Sequence, residues 1–290
     1  MPLPMVFPCP AKLNLFLEIR GKRADGYHEL GTLFQALDFG DTLSAEPWDD
    51  IEVICDRDIP GKPEDNLVYK AAALIQTRYA EKVKDRGIRF SLTKRIPTGA
   101  GLGGGSSDAA TALSLANAIW NLNLTTQELR ALAPELGADV AFFLSYPTAF
   151  AEGRGEVLSV APPPFPFHVV IATPQCHVET AWAYRQLQGK PFGSRWENFK
   201  SDYALNAADP DFYSALHNDF EMPILTHFPE IRDVHARLDS FQPSKILLTG
   251  SGASLFTLFR DESIARNCLK EAASLCRFSV LTCFKTDDLC

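Results

Sequence analysis

The stretch IPTGAGLGGGSSDAA, residues 96–110, places five glycines within the seven residues 99–105 and follows them with two serines. An apolar strand pattern precedes this stretch, and an alanine-rich helix pattern begins directly after it. The free backbone N–H groups and the positive end of the helix would therefore face one point, and glycine lets the backbone approach a ligand closely. This geometry is typical of a phosphate-binding loop. A flexible Gly/Ser linker is disfavoured because apolar segments lie on both sides.

Three common nucleotide-binding motifs can be compared with this loop, and each fails at a defined position. The Walker A loop ends in Gly-Lys-Ser/Thr, whereas every Gly-Lys pair of the chain is followed by Arg or Pro. Gly99, Gly101 and Gly104 match the dinucleotide pattern, but no carboxylate stands about 20 residues further on to bind a ribose. The protein-kinase loop requires a valine where Ser106 stands, and the chain lacks a His-Arg-Asp segment.

The composition is that of a globular protein that does not bind nucleic acid. Of the 290 residues, 46% are hydrophobic and 22% are charged; the formal net charge is -8, and no basic run occurs. No segment approaches the ~20 apolar residues of a membrane span, and no targeting signal is recognisable. The seven cysteines are odd in number and form no Cys-x-x-Cys motif, which predicts reduced thiols and a cytoplasmic location.

Hydrophobic periodicity predicts strands and helices in a mixed order, which is typical of the α+β class. The predicted strands are residues 13–19, 50–55, 87–96, 167–173, 245–248, 254–259 and 278–284, and the predicted helices include residues 66–79, 106–121 and 126–136. In the strand at 87–96 the period of two places Lys94 on the apolar face, so this lysine either contacts a phosphate or extends into water. Thr125 and Glu128 form a capping-box pattern, and Pro134 is expected to disturb the last turn of that helix.

Three separate blocks of sequence together resemble one protein family. The loop fits Pro97-x-x-x-Gly101-Leu102-Gly103-x-Gly105-Ser106-Ser107-x-Ala109-Ala110, which resembles the ATP loop of the GHMP kinases. The blocks PAKLNL at residues 10–15 and LTGSGASLF at residues 248–256 match that family in order and spacing. The resemblance implies an α+β fold of two domains, with mixed sheets, packed helices and a central cleft. The ATP-binding domain would span residues 1–161 and the C-terminal GHMP kinase domain residues 162–290, joined at a proline-rich segment that is alternatively a surface loop within one domain.

Shorter elements resemble one branch of the GHMP kinases: DGYH at residues 25–28, ELGADV at residues 135–140 and GRGE at residues 153–156. This branch acts on a cytidine-diphosphate-linked methylerythritol in the non-mevalonate route to isoprenoid precursors. The resemblance implies that the chain uses ATP to phosphorylate the C2 hydroxyl of this small-molecule substrate. A kinase of the mevalonate or homoserine type, a non-catalytic nucleotide sensor and, most weakly, a dinucleotide-binding oxidoreductase are the alternatives. The sequence assigns no oligomeric state.

Lys12 and Asp139 are the candidate catalytic residues. Phosphoryl transfer depends on positioning the reacting groups and on placing positive charge where negative charge develops. By resemblance, Asp139 accepts the proton of the substrate hydroxyl, while Lys12 keeps Asp139 ionised and stabilises the developing alkoxide. A loose transition state needs little proton removal, so Asp139 would alternatively act mainly by orienting the hydroxyl. Without the resemblance, Asp139 would be a carboxylate at a helix N-terminus and Lys12 a charge at the end of an edge strand.

The remaining candidate residues divide between the substrate and the nucleotide. Tyr27 can stack on a flat base and His28 can hydrogen-bond its edge, which suits cytosine, and the resemblance adds Asn14, Thr180 and Tyr184 for substrate contacts. A second glycine-rich turn at residues 250–252 either shapes the substrate side of the cleft or is only a tight turn. Mg²⁺ is expected with ATP because it bridges the phosphates, but the sequence identifies no ligand for it. The resemblance implies the following ATP-binding residues: Asn66, alternatively a simple helix cap, Lys94, Pro97, Thr98, Gly99, Ala100, Gly101, Leu102, Gly103, Gly104, Gly105, Ser106 and Ser107.

Overall fold

Two β-sheets form the framework of the molecule. The computed structural model describes residues 5–57, 61–84, 86–188, 191–286 and 289. Within them the first sheet has six strands: β1 (Met5–Lys22), β2 (His28–Trp48), β3 (Ile51–Cys55), β4 (Gly87–Thr93), β5 (Thr148–Gly153) and β6 (Val157–Val160). β1 pairs antiparallel along one edge of β2, while β4 and β5 pair antiparallel with successive parts of its other edge. β3 lies parallel to β4, and β6 lies antiparallel to β5.

The second sheet has four antiparallel strands among the described residues: β7 (His168–Thr173), β8 (Lys245–Leu248), β9 (Leu255–Phe259) and β10 (Phe278–Cys283). Their order is β10-β7-β9-β8. Both faces of this sheet are buried, because successive residues of a strand point to opposite faces and those of β7 enter two different cores. Val169 and Ile171 lie in the core shared with the first sheet, whereas Val170 and Ala172 lie in the core beneath the C-terminal helices.

Helices pack against both sheets. α1 and α3 contact each other and the first sheet, and α9 and α10 contact the second. Short 3-10 helices lie at Pro63–Asp65, Ala133–Glu135 and Pro210–Ala215. None of the helices in the described ranges is both long and apolar enough to cross a lipid bilayer. The α-helices of these ranges are α1 (Leu67–Arg78), α2 (Ala80–Val83), α3 (Gly104–Ile119), α4 (Thr126–Leu132), α5 (Val140–Phe143), α6 (Thr180–Arg185), α7 (Trp196–Asn206), α8 (Glu221–His227), α9 (Pro229–Asp239) and α10 (Glu262–Leu275).

The alanine-rich face of α3 determines where the glycine-rich stretch lies. Ala109, Ala110, Ala112 and Ala116 are fully buried in the core under the first sheet. Small side chains let a helix lie close to its neighbours, and α3 contacts both β1 and β2. The N-terminus of α3 and the loop before it are therefore fixed beside the middle of β1.

Apolar side chains from both halves of the chain share one core. Leu13 and Leu33 of the first sheet lie in the same cluster as Val169 and Phe256 of the second. The predicted α+β class, with mixed sheets and packed helices, is confirmed. The division into domains at residue 161 stays a prediction; this residue lies in the proline-rich link between the two sheets.

The predicted elements are found, and the differences have local causes. β1 extends well beyond residues 13–19, and the pattern missed β2, β5 and β6. Residues 30–37 of β2 are all buried, so its sequence lacks the alternation of a half-exposed strand. α3 begins two residues earlier than predicted, at Gly104. The capping box of Thr125 and Glu128 is confirmed, and α4 ends at Leu132 because Pro134 turns the chain into a 3-10 helix.

Candidate active site

The glycine loop comprises residues 97–107, and its residues 97–106 line a cavity of about 400 Å³, here called the loop cavity. Ser107 is fully buried and is not part of the cavity wall. Gly99, Gly101 and Gly103 have positive φ angles of 64°, 78° and 72°, a region that favours glycine. α3 is 16 residues long and begins at Gly104, so its unpaired first N–H groups lie at the cavity wall. These N–H groups and the positive helix end give the loop cavity the properties of a phosphate site.

Two neighbouring segments hold the glycine loop in place. The Lys12 backbone N–H of β1 donates to the Leu102 carbonyl at 2.9 Å. The turn after β8 packs directly on Gly101, where an added Cβ would lie 2.5 Å from the Thr249 carbonyl oxygen. Position 101 therefore requires glycine both for its φ angle and for its missing side chain.

Replacing Gly101 with alanine is expected to lower kcat/KM for ATP by about tenfold or more, because backbone strain of roughly 1–3 kcal/mol would displace the loop. Steady-state kinetics with varied ATP measure this effect. Gly105→Ala is the stability control, since Gly105 lies inside α3 and its added Cβ would meet only the flexible end of Leu67 at 3.3 Å. Its unfolding temperature should be equal to or slightly above that of the wild type, because alanine is favoured over glycine inside a helix. Unchanged kinetics of the Gly101→Ala variant would contradict the prediction.

A buried ionic cluster adjoins the loop. Lys94 Nζ is ion-paired with Asp41 and with Asp108, whose Oδ2 lies 2.7 Å away. Asp41 also accepts the backbone N–H groups of Arg95 and Ile96, and it thereby fixes the point where β4 leads into the loop. Lys94 is only 6% exposed and lines the loop cavity, which excludes the alternative that it extends into water. Its contact with ATP stays a prediction.

The cluster contains one ammonium group, that of Lys94, and two carboxyl groups, so its formal charges do not balance. Burial raises the pKa of Asp108 to about 7, although the charge of Lys94 opposes this. Burial also works to lower the pKa of Lys94, but the charges of Asp108 and Asp41 outweigh it and the pKa is raised. Among the described residues, Ser107 Oγ and Asp108 Oδ1 are buried without a hydrogen-bond partner. Both residues are among the first five of α3, and these two atoms have unused hydrogen-bonding capacity.

Asn66 caps α1. Its Oδ1 accepts the Val68 backbone N–H at 2.9 Å, so the simpler interpretation of this residue as a helix cap is confirmed. Asn66 also lines the loop cavity. The two roles are compatible, and the contact with adenine stays a prediction.

Lys12 and Asp139 form an ion pair, with Lys12 Nζ 3.4 Å from Asp139 Oδ2. Lys12 Nζ also donates to Asn14 Oδ1 at 2.6 Å, and Asn14 Nδ2 donates to Thr32 Oγ1 at 2.8 Å, which fixes the orientation of the amide. Lys12 is 4% exposed, whereas 30% of the Asp139 side chain is accessible. The carboxylate can therefore receive a ligand while the ammonium stays desolvated and strongly attractive.

The surroundings of this pair argue against a purely structural role. Asp139 precedes the four-residue helix α5, but its side chain makes no capping hydrogen bond. Lys12 lies within β1, paired with Ala36, and is buried rather than placed at an exposed strand end. An added Cβ on Gly103 would lie 2.8 Å from Lys12 Cγ, and one on Gly155 would lie 3.9 Å from Asp139 Oδ1. The pair thus stands between the glycine loop and the turn that follows β5.

A second cavity of about 790 Å³, the aromatic cavity, contains four of the five predicted substrate residues: Tyr27, His28, Thr180 and Tyr184. The rings of His28 and Tyr184 stack, with their centroids 4.8 Å apart. Thr180 Oγ1 lies 2.9 Å from Ser251 Oγ, which connects the second glycine-rich turn to this cavity. The fifth residue, Asn14, contacts Lys12 instead. Residues 137 and 138 line the aromatic cavity, so it extends to the neighbour of Asp139.

The polar edges of the stacked rings are uncharged at neutral pH. Burial, with a smaller contribution from Lys22, lowers the pKa of His28, which leaves a neutral imidazole with one donor and one acceptor. Burial, assisted by the charge of Asp139, raises the pKa of Tyr184 to about 12, so its hydroxyl stays protonated. A cavity with neutral donors and acceptors on aromatic walls suits a neutral base.

Sequence reasoning missed several residues of the site. Asp41 gave no signal, because it stands 53 residues from Lys94 in a strand that was not predicted. Thr32 was missed for the same reason. Asp108, Thr249 and Arg154 lie inside the blocks of sequence that resemble the GHMP kinases, so they were present in the pattern without an assigned role.

Comparisons with known proteins agree with this geometry. The model of the GHMP kinases N terminal domain matches residues 66–146. A 4-diphosphocytidyl-2-C-methyl-D-erythritol kinase of Pasteurella multocida (strain Pm70) is 43% identical over 267 residues, which cover 91% of this chain and 84% of that protein. One of Hahella chejuensis (strain KCTC 2396) is 41% identical over 271 residues, covering 90% of this chain and 87% of its own length.

A solved structure extends the similarity to three dimensions. The crystal structure of a 4-(cytidine 5'-diphospho)-2C-methyl-D-erythritol kinase superposes with a TM-score of 0.80 at 35% identity, covering 98% of this chain and 100% of that one. The sequence identity exceeds 40% over about nine tenths of the chain, and the fold is the same. Both comparisons therefore indicate the same family. The chain belongs to the 4-diphosphocytidyl-2-C-methyl-D-erythritol kinase family, a branch of the GHMP kinases.

Proposed function

We propose that the protein transfers the γ-phosphoryl group of ATP to the C2 hydroxyl of 4-diphosphocytidyl-2-C-methyl-D-erythritol. The observation that carries this proposal is the Lys12–Asp139 pair, which contacts the glycine loop on one side and adjoins the aromatic cavity on the other. The names of the relatives that are 41–43% identical support the same substrate.

In the proposed reaction, Asp139 holds the acceptor hydroxyl in line with the γ-phosphoryl group and takes its proton as the new bond forms. Lys12 attracts the negative charge that develops on the hydroxyl oxygen. Asn14 holds the Lys12 ammonium at 2.6 Å and is itself fixed by Thr32. The catalytic groups are therefore oriented before the substrates bind, which lowers the cost of aligning them.

The aromatic cavity would take the cytidyl group. Tyr27 is 57% exposed and offers a ring face for stacking, while the neutral His28 imidazole can hydrogen-bond a base edge. Stacking with Tyr184 keeps the His28 ring in one orientation. Thr180 and Tyr184 complete the walls of this proposed substrate site.

The loop cavity would take the ATP phosphates on the N–H groups of the glycine loop and of α3. The described residues contain no group of three or more His, Cys, Asp or Glu side chains that would hold a metal ion alone. Asp108 nevertheless fits a Mg²⁺ ion bound with the nucleotide, because its Oδ1 lacks a hydrogen-bond partner and carboxylate oxygens are preferred Mg²⁺ ligands. Asp108, with Ser107 Oγ beside it, would hold the ion, and Mg²⁺ would supply neutralisation of phosphate charge. The cytoplasmic location stays a prediction.

The experiment is to incubate the purified protein with ATP, Mg²⁺ and the cytidyl substrate, and to measure ADP formation. Parallel reactions contain mevalonate or homoserine in place of the cytidyl substrate. We expect ADP only with the cytidyl compound. Turnover of mevalonate or homoserine alone would contradict the proposed substrate, and saturable ATP binding without turnover of any alcohol would indicate a nucleotide sensor.

A further inference from the structure

We propose that Arg154 binds the diphosphate of the substrate and thereby makes the enzyme selective for an alcohol linked to a nucleoside diphosphate. This inference rests on the proposed function, because it takes the aromatic cavity as the site of the cytidyl group. Arg154 is on the turn after β5 and lines that cavity.

The Arg154 guanidinium has hydrogen-bond donors that are available to a ligand. In the part of the chain that the structure describes, its side chain donates no hydrogen bond, and its ion pair with Glu156 is long, with 3.8 Å between Nε and Oε1. The guanidinium lies over the Tyr27 ring, with Cζ 4.9 Å from the ring centroid. A planar guanidinium held on an aromatic face with free donors can bind a phosphate through two parallel hydrogen bonds.

The position of Arg154 matches the order of groups in the substrate. On one side it contacts Tyr27, the ring proposed to stack on cytosine. On the other side, an added Cβ on Gly155 would lie 3.9 Å from Asp139 Oδ1, the carboxylate proposed to receive the hydroxyl. In a cytidine-diphosphate-linked alcohol the diphosphate lies between the base and the alcohol. Arg154 thus contacts the proposed base site and directly precedes the residue that adjoins Asp139, which supports placing the two phosphates beside it.

The turn that carries Arg154 is fixed in place. The Gly153 backbone N–H donates to Glu29 Oε1 at 3.0 Å, which ties the turn to β2. Gly153 and Gly155 have positive φ angles of 71° and 113°, so the chain turns sharply on both sides of the arginine. Because the backbone is held, the side chain can meet the diphosphate without a large loss of loop entropy.

Other basic residues near the aromatic cavity are already paired. Arg185 lines the cavity but donates to Glu179 at 3.5 Å. Arg23 is paired with Asp25 and Glu29. His28 is held neutral by burial, so it contributes no positive charge. Among the arginines that line the cavity within the described ranges, Arg154 is the one whose side chain donates no hydrogen bond and whose guanidinium lies on the Tyr27 ring.

The test compares the binding of CDP with the binding of cytidine by isothermal titration calorimetry on the full-length protein. Arg154→Gln is expected to weaken CDP binding by about 10- to 100-fold and to leave cytidine binding unchanged, because a charge-assisted pair is lost only for the ligand that has phosphates. Arg154→Lys keeps the charge without the planar fork and should fall between the two. In turnover, Arg154→Gln should raise KM for the cytidyl substrate and leave KM for ATP unchanged.

Arg232→Gln is the control, since it removes an exposed arginine of α9 that is paired with a carboxylate and does not line the aromatic cavity. Its CDP affinity should equal that of the wild type. Equal losses of CDP and cytidine binding in Arg154→Gln would overturn the proposal, because they would show that Arg154 only supports the Tyr27 ring. A wild-type protein that binds CDP through Arg154 but transfers no phosphoryl group would contradict the kinase reaction and leave this inference standing.

Discussion

Replacing Asp139 with asparagine is expected to lower kcat by about 10²- to 10⁴-fold and to leave KM for ATP unchanged. Asparagine has the same shape, but it cannot take the proton of the hydroxyl and carries no charge to pair with Lys12 Nζ, 3.4 Å away. The ATP side is separate, since Asp139 is not among the residues that line the loop cavity. Single-turnover formation of ADP at saturating substrate concentrations measures the chemical step directly.

Substitution of Lys12, the partner of Asp139, tests the same catalytic pair more stringently. Lys12→Met should also be slow, and the double variant should be hardly slower than either single variant, because groups that act as a unit show non-additive losses. Asp233→Asn removes an exposed carboxylate of α9, 70% accessible and paired with its neighbour Arg232, and should turn over like the wild type. A kcat for Asp139→Asn within about tenfold of the wild type would contradict an essential carboxylate.

The sequence motifs predicted the parts of the site that are local in the chain. The glycine loop is followed at once by α3, so its phosphate-binding geometry depends on residues that are neighbours in sequence. The capping box of Thr125 and Glu128 and the Asn66 cap are local for the same reason. The period of two in the predicted strand at residues 87–96 placed Lys94 on the apolar face, because the alternation of side chains is a property of the strand alone. It left open whether the side chain contacts a phosphate or extends into water, and the structure shows that the side chain is buried.

Such local patterns do not predict contacts between segments that are distant in the sequence. Thr42 of β2 pairs with Thr93 of β4, and this register brings Asp41 beside Lys94. No periodicity encodes the register of two strands that far apart, and β2 itself was missed because its residues 30–37 are buried on both faces. The close approach of Thr249 to Gly101 likewise depends on how the two sheets pack. The family resemblance supplied the pairing of Lys12 with Asp139, which spacing alone would not have given.

The buried cluster around Lys94 has the largest expected effect on stability. Replacing Lys94 with methionine should lower the free energy of unfolding by about 3–5 kcal/mol, because removal of one partner leaves buried charge uncompensated. Asp41 and Asp108 are both at most 3% exposed, so water cannot replace the lost ammonium. Urea unfolding at neutral pH measures the change. Lys200→Met removes a partly exposed lysine that pairs with Glu152 at 2.8 Å, and this control should cost at most about 1 kcal/mol.

The pH dependence of the free energy of unfolding of the Lys94→Met variant tests the same cluster, whatever the absolute size of the destabilisation. Asp108 is the carboxyl of this cluster whose pKa burial raises. Burial raises its pKa from 3.8 to about 7, so the stability contributed by the protonated form is complete below 3.8 and is lost as the pH rises through about 7. In the wild type the charge of Lys94 stabilises ionised Asp108 and so limits this loss of stability, whereas methionine cannot do so. The variant should therefore be destabilised more at about pH 8 than at about pH 5, and a difference independent of pH would show that Asp108 stays ionised without Lys94.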